Sequence, residues 1–402
     1  MLLNRARASK IMEKEGLDGL IATTPENVTY LTDHHGHYWQ IRAITVLAAL
    51  AKDVQEPVLV APASDITPLT PTDINVVAYG GIPLVISDIG EADEYDRLLL
   101  ERRKELELLP GAMQALYKAV RDLGLSSGRV AVDERNFTRG QFAALGTEFP
   151  KAEFVDGYEL FRLIRAVKTE EEVNRLRISV QATEAGITNA VGILEPGVTE
   201  KELEIAFNVG VTEAGAVPVF SVICSDHRSA HTNTVPGNRI VQRGDVVRLD
   251  LGSVYRYYYS DIARTFVVGT EPTESQQLYW DAIVAGEKAA MEALRPGVTA
   301  GEVFRIAVET CRESGIPNFE RNHVGHGIGI ELYDMPVLTP GNDTAIEEGM
   351  VFCVETPVYE VGYAGLQVED TMVVRKDGIE LLSSYQRDLY AQPIESFAHP
   401  IN

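Results

Sequence analysis

Asp250, Asp261, His326, Glu355 and Glu369 follow one another along the C-terminal half of this 402-residue chain. Each stands in a short apolar or glycine-rich run: VVRLDLG, SDIARTF, VGHGIGIE, MVFCVETP and GLQVEDTMVV. An ionised carboxylate inside an apolar strand is costly unless its charge is compensated. Four such carboxylates call for a strong compensator, and a pair of divalent cations supplies it. Two cations about 3.5–4 Å apart can share a hydroxide and polarise a carbonyl. They lower the pKa of the nucleophile and stabilise a tetrahedral oxyanion, while a neighbouring group orients the water or moves a proton to the leaving nitrogen. The pattern predicts a dinuclear metal-dependent hydrolase. Oxygen-rich donors with one imidazole favour Mn²⁺ or Co²⁺, with Fe²⁺ or Zn²⁺ as further candidates. The set contains no thiolate, which argues against a structural zinc site. Taken singly, each residue has a plainer reading, as a strand-end cap, an ion-pair partner or a satisfied core histidine; the reading rests on the five together.

Elements must bring these residues to one place. Asp250 and Asp261 flank an expected hairpin with its turn near Tyr255–Tyr257, and Glu355 and Glu369 flank a similar excursion through Pro357–Gly365. Upstream, Thr169-Glu-Glu-Glu172 is a capping-box pattern that opens a long helix, with Val173, Leu176, Val180 and Ile187 on one face. The segments Leu194-Glu-Pro-Gly-Val-Thr-Glu-Lys-Glu202 and Leu294-Arg-Pro-Gly-Val-Thr-Ala-Gly-Glu302 resemble each other. Both put Pro-Gly before a helix-capping Thr, which predicts a duplicated half. Asp250 and Asp261 follow the first copy; His326, Glu355 and Glu369 follow the second. Before residue 150, helical and strand-like runs alternate, as in a compact α/β domain, and a boundary is expected near Arg165–Lys168. The fold class read from this is α/β (α+β).

The net charge of −23 argues against nucleic acid or an anionic membrane as partner. Cys224, Cys311 and Cys353 are far apart and odd in number, which reads as reduced thiols in a cytoplasmic protein. The N-terminal stretch lacks the apolar core of a signal peptide, and no run has the length of a membrane-spanning helix.

On the D-x10-D pattern ending in SDIARTF, the GHGIG and VET segments, and GLQVED, the chain resembles the pita-bread metalloenzyme superfamily. That group comprises methionine aminopeptidase, prolidase (Xaa-Pro dipeptidase), aminopeptidase P and creatinase; the ligand spacing is most similar to prolidase. The resemblance implies a creatinase-type N-terminal domain over residues 1–160 and a pseudo-two-fold pita-bread catalytic domain over 166–402. It implies that Asp261 and Glu369 bridge two metals, that Asp250 completes one ion, and that His326 with Glu355 completes the other. Glu355 would also accept the proton of the bridging water, and His231, in SAHTN, would contact the substrate. It further implies a homodimer, whose loop YLTDHHGHYW, with His34, His35 and His37, either packs as a polar loop or reaches the partner's site. His323 is expected to support the metal site, and Arg264 to neutralise part of the carboxylate cluster.

Three positions depart from the family pattern. Tyr333 stands where family peptidases carry a second histidine, and a phenol with a pKa of about 10 is a poor shuttle at neutral pH. Val337 and Gln367 stand where arginines are common. Tyr333, Val337 and His231 are read as lining the substrate. The expected activity is cleavage of the bond before proline in a dipeptide or short peptide. Tyr333, with the loss of two cations at Val337 and Gln367, favours an alternative substrate, a small amide metabolite hydrolysed in the creatinase manner. A binding module without metals is the remaining reading.

Overall fold

The computed structural model describes residues 2–34, 36, 44–65, 74–81, 83–85 and 93–389. The chain divides into two compact units, Met1–Arg165 and Ala166–Asn402. His35 and His37 lie outside the described residues. His34 is buried, with Nε2 3.4 Å from Asp65 Oδ2.

The first unit is a six-stranded mixed sheet in the order β4-β3-β2-β1-β5-β6. Its strands are β1 (Gly19–Ala22), β2 (Leu47–Ala51), β3 (Val58–Pro62), β4 (Asn75–Tyr79), β5 (Arg129–Val132) and β6 (Glu153–Asp156). The helix Ala112–Asp122 buries Ala115, Leu116, Ala119 and Val120, an i, i+3/i+4 stripe, in the core that also holds Ile21, Val60 and Val130.

The second unit carries the chemistry. Helices α1 (Glu170–Gly192) and α2 (Glu200–Glu213) pack together, as do α3 (Glu274–Ala293) and α4 (Ala300–Glu313). Thr199 and Thr299 cap α2 and α4, each accepting from the backbone N–H three residues on. The Pro-Gly turns before them match in conformation: Gly197 and Gly297 have φ of 112° and 94°, which a side chain would resist. They also match in docking. Gly197 N–H donates to Val241 O at 2.9 Å, and Gly297 N–H to Ile346 O at 2.9 Å. The two segments alike in sequence thus make the same helix–turn–helix and pin it to the segment that leads into a following strand, Val246–Tyr255 or Val351–Glu355.

Each helix pair leads into part of one sheet, with strand order β12-β11-β13-β16-β10-β8-β7. The first half supplies β7 (Val217–Ser225), β8 (Val246–Tyr255), β9 (Tyr258–Tyr259) and β10 (Ile262–Val267). The second supplies β11 (Gly325–Gly327), β12 (Asp334–Val337), β13 (Val351–Glu355), β16 (Glu369–Arg375) and β17 (Gly378–Leu381). Between β13 and β16 a small hairpin, β14 (Val358–Tyr359) with β15 (Gly365–Leu366), forms the excursion expected there. The β8–β9 turn falls at Arg256 and Tyr257, both at positive φ. The expected fold class, a mixture of α and β elements in both units, is what the chain adopts.

Glu172 closes the capping box of α1: its Oε2 accepts from Thr169 N–H at 2.7 Å, and Tyr258 OH donates to its Oε1 at 3.0 Å. Burial pushes its pKa up to about 7, against the pull of Thr169, Lys168 and Tyr258. The folded state therefore binds the proton more tightly than the unfolded chain. Stability from this group is full below the unfolded pKa, near 4.5, and is lost as pH rises through about 7. Glu172→Gln should gain on the wild type between pH 5 and pH 8, by on the order of 1–3 kcal/mol. Denaturant melts across that range read it; a difference that stays flat would mean that the carboxyl ionises normally.

Candidate metal centre

Strand register puts all five expected ligands on one face of the sheet. Asp250 on β8 and Glu369 on β16 both lie opposite Ala263 on β10, and Glu369 lies opposite Glu355 on β13. One pleat away, His326 on β11 lies opposite Cys353, and Cys353 opposite Thr371. Thr371 Oγ1 donates to Asp261 O at 3.0 Å, so Asp261 closes this second row. Ala263, the one small residue in the first row, leaves open the space that the carboxylates surround.

The donor atoms converge. One ligand atom each from Asp250, Asp261 and Glu369 lie within 4.8 Å of one another, and so do those of His326, Cys353 and Glu369. His326 Nε2 stands 3.7 Å from Asp261 Oδ2. Its Nδ1–H donates to Gly327 O at 3.0 Å, which fixes the tautomer and leaves the Nε2 lone pair facing the acids. Burial lowers the pKa of His326, which favours the neutral imidazole that metal ligation needs. Asp261 Oδ1, Glu369 Oε1 and His326 Nε2 are buried and have no hydrogen-bond partner among the described residues.

The acids repel one another. Burial, then the Asp250 charge, holds Asp261 well above the usual carboxylate range. Burial, then Asp261 and Glu355, does the same to Glu369. Burial brings Glu355 up to about 7, although Arg321 and His326 pull against it. Asp250 is raised by burial and pulled back by Arg248 and a hydrogen bond from Gln367. Orphaned donor atoms on mutually repelling buried acids are what a site built for cations looks like without them. The donor set therefore fits divalent metal: five side chains from two halves, hard oxygens and one imidazole.

The other expected site residues fall around this core. Tyr333 is half exposed and stacks on His326, with ring centroids 3.8 Å apart at 19°. Val337 lies across the β11–β12 pair from His326. His231 is exposed on the loop after Ser229 and Ala230, its ring edge-on to His227 at 6.5 Å. His323 Nδ1 is 3.3 Å from Glu355 Oε1 but out of hydrogen-bond geometry. Burial, then Arg321, lowers the pKa of His323 to about 4, so the contact is not an ion pair.

Arg264 corrects an expectation. It does not face the carboxylate cluster. Strand alternation turns it to the opposite side, where Nη2 donates to Asp370 Oδ1 at 2.6 Å and Nη1 to Glu369 O at 2.7 Å. The cations that do reach the site are Arg248 and Arg321, which the sequence reading did not single out. Arg248 Nη1 lies 3.4 Å from Asp250 Oδ2, and Arg321 Nη2 lies 3.4 Å from Glu355 Oε2. Their guanidinium groups pack on the Tyr359 ring at 5.1 and 5.5 Å. Arg248 was legible, because it stands two residues before Asp250 on one strand face; Arg321 was not. Cys353 was missed as well, though it stands two residues before Glu355. Its thiol donates weakly to Asp261 O at 3.7 Å, and burial followed by Glu369 and Asp261 keeps it protonated.

Known proteins carry the same plan. Residues 174–376 match metallopeptidase family M24, and residues 5–167 match the creatinase/prolidase N-terminal domain. A Xaa-Pro dipeptidase of Pyrococcus furiosus is 32% identical over 233 residues, which cover 58% of this chain and 67% of the relative. One from Lactobacillus delbrueckii subsp. lactis is 29% identical over 272 residues, 66% of this chain and 73% of the relative. Among solved structures, the prolidase from Pyrococcus furiosus aligns over 94% of this chain and 100% of its own, with a TM-score of 0.74 at 24% identity. A Xaa-Pro dipeptidase from Bacillus anthracis aligns over 96% and 98%, with a TM-score of 0.78 at 22% identity. At those identities the structural likeness speaks for the fold, and the sequence matches speak for descent. With the M24 match spanning half of its length and a buried set of metal-type donors within that span, the chain belongs to metallopeptidase family M24 and is a metal-dependent peptidase of the pita-bread superfamily.

Proposed function

We propose that this chain is a dinuclear Xaa-Pro dipeptidase that hydrolyses the bond before proline. The observation that carries it is the trio of orphaned buried donors, Asp261 Oδ1, Glu369 Oε1 and His326 Nε2, within a family whose members depend on divalent metal. Divalent cations held here would let the acids ionise, polarise the scissile carbonyl and acidify the attacking water. Asp261 and Glu369 would be shared by both ions, Asp250 would complete one, and His326 with Glu355 the other. Glu369 belongs to both donor groups, which supports its bridging role. Glu355 would accept the proton of the attacking water, the role that the family resemblance implies for it. Burial, then the neighbouring acids, pushes the Tyr333 phenol up, so it remains protonated and can donate to the substrate. Val337, across from His326, and His231, whose carbonyl is held by Arg248, are proposed as substrate contacts.

The alternative of a small amide with a neutral or cationic tail rested on Tyr333 and, for its charge preference, on the missing cations at Val337 and Gln367. Arg248 and Arg321 supply positive charge from other positions, which removes that ground. Arg321 is partly exposed, and its hydrogen bonds among the described residues, Nε to His323 O and Nη2 to Glu355 Oε2, are both long at 3.4 Å. It is proposed to hold the carboxylate of a dipeptide, the substrate class that the names of the sequence relatives point to. A module that has lost its metals is disfavoured by five ligands in register. Oxygen-rich donors support Mn²⁺ or Co²⁺ ahead of Fe²⁺ or Zn²⁺. A cytoplasmic location is supported by three free, buried cysteines, and no described helix is long and apolar enough to cross a membrane. A homodimer is proposed from the resemblance to prolidases.

Chelated protein should bind about two equivalents of Mn²⁺ or Co²⁺ by calorimetry. Asp261→Asn should reverse sign with metal. In chelator it removes one buried charge and raises Tm by about 2–4 °C; with saturating metal it binds fewer ions, melts below the wild type and loses turnover of Ala-Pro. Unchanged ion content in the variant would put the metals elsewhere.

Arg321→Gln should raise KM for Ala-Pro about tenfold or more while leaving Ala-Pro amide within twofold. Equal losses on both substrates would reduce Arg321 to a support for Glu355. No turnover of either by the metal-loaded wild type would remove the dipeptidase reading.

A further inference from the structure

Arg248 is fully buried, and its guanidinium spends its donors in two directions. Towards the His231 loop, Nε donates to Ser229 O at 3.0 Å, and Nη2 donates to His231 O and Thr232 O, both at 2.8 Å. Towards the acids, Nη1 donates to Gln367 Oε1 at 2.8 Å. Tyr359 OH donates to the same oxygen at 3.2 Å. With that oxygen held by two donors, the amide nitrogen of Gln367 has one way to point. It donates to Glu355 Oε2 at 3.4 Å and to Glu369 Oε2 at 3.3 Å. The amide orientation follows from this network, because a flipped Gln367 would set its oxygen against two carboxylates and its nitrogen against a guanidinium.

We infer that Arg248 is a positioning residue that ties the His231 loop to the ligand pair Glu355 and Glu369 through the Gln367 amide. One buried cation then sets both the wall of the substrate space and the aim of two metal ligands. The inference rests on the metal-centre reading of those carboxylates. A planar fork is needed, because the three carbonyls and the amide oxygen lie on different sides of the group. Lysine offers three donors from a single point and cannot serve both directions. The buried carbonyls it failed to reach would stay unpaired. Gln367 is needed as well: a carboxylate in its place would add a further acid beside Glu355 and Glu369, and an apolar residue would break the chain of bonds without disturbing the loop.

The experiment is a double-mutant cycle on the full chain with Arg248→Lys, Gln367→Met and the pair. Each protein is read for Co²⁺ affinity by calorimetry, for kcat and KM on Ala-Pro, and for Tm. Gln367→Met should weaken Co²⁺ binding about tenfold and lower kcat, with KM within twofold, because Arg248 still holds the loop. Arg248→Lys should weaken Co²⁺ at least as much, because its contact with Asp250 Oδ2 is disturbed too, and should also raise KM about tenfold. In the pair, the Co²⁺ affinity should be no worse than in Arg248→Lys alone, since both substitutions cut one path. Losses of affinity that multiply in the pair would overturn the inference. So would Co²⁺ binding by Gln367→Met within twofold of the wild type. If Arg248→Lys does not fold, Gln367→Met at an unchanged Tm still decides, since a purely structural glutamine would not alter ion affinity. Absence of wild-type turnover would remove the dipeptidase reading alone, because calorimetry scores the link between Arg248 and the ligands without any substrate.

Discussion

Repulsion among four acids on one sheet face is the constraint to which the rest of this structure answers. At an effective dielectric of 20, two like charges about 5 Å apart cost on the order of 3 kcal/mol, and Asp250, Asp261 and Glu369 bring their oxygens within 4.8 Å. A neutral hydrogen bond offsets only about 1 kcal/mol net. The long bonds from the Gln367 amide, at 3.3 and 3.4 Å, therefore cannot balance the cluster. Arginines cannot do so either, since Arg248 and Arg321 approach only its edges, at 3.4 Å. Only charge placed among the acids would suffice, and the orphaned lone pairs point inward to where it would sit. Burial keeps His326 neutral against the pull of Glu355 and Asp250, so the imidazole keeps its free lone pair, while burial and the Glu369 and Asp261 charges together keep the Cys353 thiol protonated.

Such an arrangement needs a backbone that cannot slip. A one-residue shift of any strand would move its ligand to the other face. Register is held by continuous antiparallel pairing across β13, β16, β10 and β8, and from behind. On the reverse face Arg264 bonds Asp370 and the Glu369 carbonyl, while Arg387 bonds the second oxygen of Asp370 at 2.7 Å. Glu369 and Asp370 are neighbours with opposite duties: one faces the metal side, and the other anchors the strand to two cations. The duplicated helix pairs add the wider frame, because each pins its following strands through the same glycine turn.

The candidate ligands stood out in the sequence for a physical reason: acids in apolar strands are rare enough to need a cause. The repeat was legible because the Pro-Gly-Val-Thr turn demands particular residues wherever it is built. What could not be read was the reach of long side chains. Arg321 approaches Glu355 across 34 positions of sequence, and Arg248 meets Gln367 across 119. The side taken by Arg264 was available, since Asp261 and Ala263 share a face and the residue after Ala263 must take the other. It was misread because its charge, rather than its place in the alternation, was consulted. The exposed ring of His231 depends on a loop whose course is set by Arg248, and no local pattern of Ser, Ala, His and Thr encodes that course.

The same reach explains how a site can keep its electrostatics while its sequence pattern changes. Val337 and Gln367 remove two cations from the positions where the family pattern has them, and a reading by position alone concludes that anionic substrate ends have lost their partner. Charge is a property of space, not of sequence number. A guanidinium carried on a long flexible stem from β8, or from the segment before β11, can bring charge to the same region from another strand. What it cannot do is exchange without consequence. A cation buried at position 248 must satisfy its donors on nearby carbonyls, so it becomes a structural clamp as well as a charge. A cation at position 321, partly exposed and making only long contacts within the protein, keeps donors for a ligand. The division between a fully buried arginine, whose donors are taken up inside the protein, and a partly exposed one, which keeps donors for a ligand, follows from burial, and it suits the two groups to different work within one site.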